Sequence, residues 1–194
     1  MTEAVPHVQA EAQDSLQNDR HTVLKRLLSA HQEWFNVYQD YEYAGELFPG
    51  YAEFHSHGEK YVLVKRAKLW EVDAHEYLFF RDVACLDVDE VQRMVGFMTQ
   101  KALQKVHPEP NHMQSFLSLV FVADQVTEEA AKKIRTTSFR KNFKLGFQGW
   151  ADLRLAAVDL SAQTVLTNSM GKEMKKALEA NSGFAQKKKS FFRR

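Results

Sequence analysis

Glu53, His55 and His57 occupy alternate positions in the stretch YAEFHSHGEK. In an extended chain the period of two sets all three side chains on one face, and His75 or Glu76 on a neighbouring strand can reach them. Two imidazoles and a carboxylate supply the donors that zinc or another divalent metal accepts with coordination positions left open, the basis of a metal-dependent hydrolase. The alternative is a polar turn at a sheet rim, since neither a His-x-x-x-His pair nor a second cysteine supports the set.

A second constellation is AKKIRTTSFRKNFKLGFQGW, residues 131–150. Lys132, Lys133, Arg135, Arg140, Lys141 and Lys144 meet no acid between Glu129 and Asp152, and Phe139, Phe143, Phe147 and Trp150 interleave with them. Cations that neutralise phosphates beside rings that stack on bases are the composition of a single-strand nucleic-acid site. The competing reading is a solvated helix face followed by aromatics that enter the core at strand spacing. The C-terminal KKKSFFRR gathers Lys187, Lys188, Lys189, Arg193 and Arg194 around two phenylalanines. Nucleic-acid phosphates or an acidic membrane surface suit such a segment, and so does plain solvation.

Other chemistry lacks its residues. The chain has no Gly-x-Ser-x-Gly elbow, Walker loop, dinucleotide fingerprint or Cys-x-x-Cys, and Gly146-Phe-Gln-Gly149 precedes a strand pattern, as a turn does, not a phosphate-cradling helix. The leading expectation is a non-catalytic, cofactor-free binding protein for an anionic partner such as nucleic acid. The metal-dependent hydrolase stands as the alternative.

Charge is segregated along the chain. The net charge of +1 over 194 residues hides five cations in the last eight, which leaves 21 basic against 25 acidic side chains elsewhere. The length suits one domain. The expected organisation is a disordered leader over 1–16, a single domain over 17–183 and a mobile basic tail over 184–194. The leader has neither a basic head nor an apolar segment, and no apolar run approaches the roughly 18 residues of a membrane helix. A cytoplasmic location is therefore expected. Cys85, the single cysteine, has Val83, Ala84 and Leu86 as neighbours and reads as a small buried hydrophobe.

The elements that must position these residues follow from periodicity. Apolar residues from Val23 to Tyr38 recur at helical spacing and predict one helix over about 18–43 with His31 at its rim. Pro49-Gly50 reads as a breaker, followed by strands at about 51–56, 60–70 and 74–82, with YVLV (61–64) and YLFF (77–80) as hairpin partners. Asp87-Val-Asp-Glu90 has capping-box spacing ahead of a helix through Val91, Met94 and Met98 that stops before Pro108. SFLSLVFVAD, residues 115–124, has the continuous apolarity of a central strand covered on both faces. Thr127 caps a short helix through Ala130, Ala131 and Ile134. Strands at about 143–147, 152–160 and 164–167 and a last helix from about Asn168 complete the chain.

The fold class is α+β: a mixed, largely antiparallel sheet with an N-terminal, a central and a C-terminal helix in a single domain. The opening α-β-β-β-α-β order resembles the restriction-endonuclease-like nuclease core, which carries an acid on one strand and an acid-x-lysine on the next. Glu71, Asp73 and Glu76 surround the expected hairpin, but the only Glu-x-Lys is Glu173-Met-Lys175 in the last helix, so the resemblance implies no catalytic residue. FHSHGEKYVLVKRAKLWE and GWADLRLAAVDL make the whole chain resemble an uncharacterised family of small intracellular bacterial proteins without an assigned activity.

Overall fold

A computed structural model describes residues 19–55, 73–109 and 112–184, with the backbone alone at 73 and 74. His57, the run 61–64 and the tail from 185 lie outside the described residues.

Helix α1, Arg20–His31, starts where the Asp19 carboxylate accepts from the Thr22 amide at 2.7 Å. That bond is the main reason the Asp19 carboxyl lies below its ordinary pKa. Val23, Leu24, Leu27 and Leu28 bury the inner stripe of α1. The helix expected to reach residue 43 ends at His31, and Asn36–Tyr43 is strand β1. Trp34, taken as part of the helical stripe, is 55% exposed. Past it the tyrosines of 36–43 gain more from a pleated surface, where Tyr41 stacks on Tyr51 with ring centroids 4.1 Å apart.

β2, Glu46–His55, pairs antiparallel with β1 and with β3, Asp73–Leu86. Pro49-Gly50, expected to break the chain, lies inside β2. The β1 ladder steps from Phe48 to Gly50 opposite Asp40, whose φ is +49°, and the β3 ladder begins at Gly50. Proline, which cannot donate, thus falls at an interruption of both ladders. Residues 77–80 have β2 on one edge and β4, His112–Val126, on the other, which leaves no edge for the expected hairpin with 61–64.

From β3 the chain makes two parallel steps. α2, Val88–Gln100, and α3, Glu128–Thr136, carry it from β3 to β4 and from β4 to β6, Trp150–Asp159. Parallel neighbours need such crossovers. Asp87 caps α2 and Thr127 caps α3, as their spacing predicts. β4 is central and apolar throughout its middle, with Leu117, Leu119, Val120, Phe121 and Val122 fully buried. The short β5, Arg140–Asn142, and β7, Thr164–Thr167, both pair antiparallel with the outer edge of β6, and α4, Lys175–Asn181, closes the described chain. The strand expected at 143–147 is instead a 3-10 turn over 144–146.

Among the described residues this gives a seven-stranded mixed sheet in which four of six pairings are antiparallel, with four α-helices, an α+β fold. α2 and α3 cover one face, where Met94, Met98 and Ile134 meet Phe79, Leu119 and Leu155. α1 and α4 cover the other, over Leu78, Phe80, Val120 and Ala156. Cys85, expected inside, is exposed: β3 loses its β2 neighbour after Phe80, so its last residues are covered on one edge only. No helix among the described residues is long and apolar enough to cross a membrane.

Candidate polyanion-binding surface

The basic segment folds into three pieces around the outer edge of β6. In α3 the buried Ala130 and Ile134 set the inner face, so Lys132 and Arg135 stand in solvent and Lys133 is half-buried. Lys133 and Arg135 also occupy the last turn, where cations complement the helix dipole. In β5, Lys141 is exposed, whereas Arg140 reaches across to Asp152 in two bonds of 2.7 and 2.9 Å. The acid missing from the linear segment is thus supplied by the adjacent strand. Asp152, 1% exposed, also accepts from Gln114, and the bonded pair raises the Arg140 pKa while its guanidinium lies 5.2 Å over the Trp150 ring.

Between β5 and β6 the chain makes a tight tip over 143–149. Amides of Gly146 and Gln148 donate to the Phe143 carbonyl, and Phe143 N–H donates to the Gly149 carbonyl. Lys144 and Leu145 adopt left-handed backbone conformations, with φ of +43° and +57°. Gly149, at φ +69°, is required twice over, since a Cβ there would also collide with the Met113 carbonyl. Phe139 and Phe143 pack against the core, as the core reading of the aromatics expected. Phe147 does not: it is 85% exposed and Leu145 is 96% exposed, with Lys141 and Lys144 beside them in the chain. Two apolar side chains thus stand in solvent at a tip with left-handed backbone.

The base of the tip is tied to a row of histidines. His112, buried, donates from Nδ1 to the Gln148 carbonyl at 2.8 Å, which in the neutral ring leaves Nε2 to accept from the Ser115 hydroxyl at 2.8 Å. His75 stacks on His112 at 5.9 Å, and its Nδ1 lies 3.2 Å from Nδ1 of His55. Period-two alternation brings His75 to this face and sends Glu76 through the sheet, so of the two expected neighbours only His75 joins His55. Glu53 lies 3.8 Å from His55 Nε2 but accepts from Tyr51 at 2.7 Å and Tyr38 at 3.4 Å. Burial, then the Glu53 bond, pushes the Tyr51 pKa up, and burial with the Glu53 charge raises Tyr77 to about 12. Among the described residues no three His, Cys, Asp or Glu side chains are arranged to hold a metal ion. Ser115 is completely buried, so the Ser115–His112 pair closes the row and presents no nucleophile.

Two polar features carry little sequence signal. Lys105 rests its ammonium 4.8–5.8 Å from the ring centroids of Tyr41, Tyr43, Tyr51 and Tyr77 and donates to the Tyr41 hydroxyl. On the opposite face Arg154, nine-tenths buried, lies over Phe116 and pairs with Glu76 at 3.4 Å and Glu173 at 3.2 Å. A lone arginine within the apolar run of β6 was the only hint of the second.

No curated protein and no solved structure matches this chain. Residues 19–180 match the family model described as a domain of unknown function, DUF8052. The match spans nearly all of the described fold, both sheet edges included, and the chain belongs to that family.

Proposed function

We propose that the protein binds single-stranded nucleic acid along the outer edge of β6, with the 143–149 tip as a stacking point. The observation that carries this is Phe147, 85% exposed, with the exposed Lys144 before it in the chain and Trp150, under the Arg140 guanidinium, after it. An exposed ring gives a base a face to stack on, and lysines without a carboxylate partner supply the phosphate contacts. Lys132, Lys141 and Lys144 have no ion pair among the described residues, whereas Arg140 is held by Asp152 and positions Trp150. The tail cations Lys187, Lys188, Lys189, Arg193 and Arg194 extend the same chemistry in sequence.

The test is fluorescence anisotropy with a labelled oligothymidylate across a salt series. Phe147→Ala should weaken binding by about 1–3 kcal/mol, the worth of one stacked base. Lys141→Ala with Lys144→Ala should reduce the salt slope by about 1.4, since each single-strand phosphate contact contributes about 0.7. Equal affinity in wild type and both variants overturns the reading. Sedimentation with phosphatidylserine vesicles in the absence of oligonucleotide binding would replace nucleic acid with an acidic membrane surface, met by Leu145 and Phe147 or by the basic tail.

A further inference from the structure

Beyond that surface, the corner formed by α3, β7 and the start of α4 holds a cleft of about 420 Å³. Arg135, Lys172 and Lys175 line it together with Thr164, Thr167 and Ser169, and among the described residues no acidic side chain does. We propose that this cleft is a binding site for a phosphomonoester group.

Three observations support it. First, two of its three cations are left uncompensated: Arg135 and Lys172 make no ion pair among the described residues, while Lys175 reaches Glu179 at 3.7 Å. Three like charges on one concave surface repel one another and focus a positive field on the space between them. A phosphate dianion relieves that repulsion better than the single charge of a phosphodiester, and its terminal oxygens accept from ammonium, guanidinium and hydroxyl donors at once.

Second, the cleft is pre-organised by a residue that does not line it. Asn168, fully buried, accepts on Oδ1 from the amides of Leu155 at 3.0 Å and Gly171 at 2.8 Å. It donates from Nδ2 to the carbonyls of Leu153 at 2.9 Å and Thr137 at 3.2 Å. One side chain thereby clamps β6, the end of α3 and the turn that carries Lys172. Gly171 allows this closeness, since a Cβ there would lie 2.5 Å from the Leu155 carbonyl oxygen. A backbone fixed before binding leaves only the side chains it carries to be ordered when the ligand arrives.

Third, the space exceeds one phosphate and leaves room for part of the molecule that carries it. Free phosphate, a small phosphate ester and the phosphorylated end of a nucleic-acid strand share this chemistry. The last lies within reach of the proposed surface. Arg140 pairs with Asp152 and Thr167 with Ala156 on the same edge of β6, so the two places are four residues, about 13 Å, apart along the strand.

The experiment uses the whole chain and two probes: inorganic phosphate, read as a melting-temperature shift against chloride of equal ionic strength, and an oligothymidylate carrying either a 5′-phosphate or a 5′-hydroxyl. Phosphate should raise the melting temperature of the wild type and of Lys141→Ala, and Lys172→Ala should abolish the rise. Lys172 is exposed, so this variant retains the fold, and Thr167→Val tests the same cleft through a hydroxyl. If the ligand is a strand end, the 5′-phosphorylated oligonucleotide should bind at least about fivefold tighter than its hydroxyl twin, and Lys172→Ala should erase only that preference. A phosphate response with no preference between the oligonucleotides assigns the cleft to a small phosphate, and a phosphate response with neither oligonucleotide bound overturns the nucleic-acid surface and leaves the cleft standing. No phosphate shift and no preference in the wild type, or a shift that survives Lys172→Ala, overturns the cleft.

Discussion

The two edges of the sheet spend their polar groups in opposite ways. At the β1–β2 edge Tyr38, Tyr41, Tyr51, Glu53, His55 and Lys105 satisfy one another, with Tyr51 bonded to Glu53 and Lys105 held within four rings. At the β5–β7 edge Lys132, Lys141, Lys144, Arg135 and Lys172 have no carboxylate partner among the described residues, and Leu145 and Phe147 have no core to enter. A network that satisfies itself contributes to stability and has little left for a ligand. Unpaired cations and stranded apolar groups contribute little to stability and keep their binding capacity, which is why the functional reading rests on the second edge.

The sharpest way to break that contrast is Tyr51→Ala. Tyr51 is buried, stacks on Tyr41, packs at a tilt against Phe79, and bonds to Glu53. Its truncation should cost about 3–5 kcal/mol, as for other large aromatics, read by denaturant unfolding. Lys141→Ala with Lys144→Ala should stay within about 0.5 kcal/mol of wild type in the same measurement. Comparable losses at both edges would remove the distinction.

Arg140 divides the basic edge internally. Arg140→Ala leaves the buried Asp152 with Gln114 alone and should cost about 2 kcal/mol, below the usual cost of breaking a buried pair because the arginine side chain is half exposed. In oligonucleotide binding it should cost less than Phe147→Ala, since its charge is already offset. Gly149→Ala comes next: the positive φ and the Met113 carbonyl both oppose a Cβ, so the tip must shift, lowering stability by about 1 kcal/mol or more and weakening binding together.

What the sequence shows of these edges depends on whether a residue's partner is near in the chain. The capped starts of α2 and α3 and the central strand β4 were legible because caps act over three residues and a doubly covered strand is apolar throughout. β1 was not, because 34, 35 and 38 continue the spacing of α1 while the tyrosine partners that make a strand of it lie on β2. The basic segment was legible as composition, but the carboxylate that removes Arg140 from it arrives through the β5–β6 register. The histidine row shows the same limit. His55 stood out beside His57 and His75 was an expected neighbour, while His112 joins the row only because β3 and β4 are neighbours. Lys172 and Lys175, far from Arg135 in the chain, meet it in the cleft through the Asn168 clamp.

The smallest expected effect concerns an ion cluster on the self-satisfied side. Glu90, in the first turn of α2, accepts from Arg93 at 2.8 and 3.0 Å and from Arg81 at 3.1 Å, and Arg93 also pairs with Glu46. Burial pushes the Glu90 carboxyl up, but the two guanidinium groups outweigh it and hold the pKa below its ordinary value. A carboxyl depressed in the folded chain binds protons more readily unfolded. Its stabilisation is therefore fully present above the unfolded-state pKa and is lost as the pH falls through the lower folded-state value. Glu90→Gln should flatten the acid limb of a stability–pH curve while changing neutral-pH stability modestly, because the Arg93 side chain is 43% exposed and screened by solvent. The same substitution should leave oligonucleotide and phosphate binding unchanged. A Glu90→Gln protein that lost either would show that the two sides of the sheet are coupled, and the division of labour between its edges would not hold.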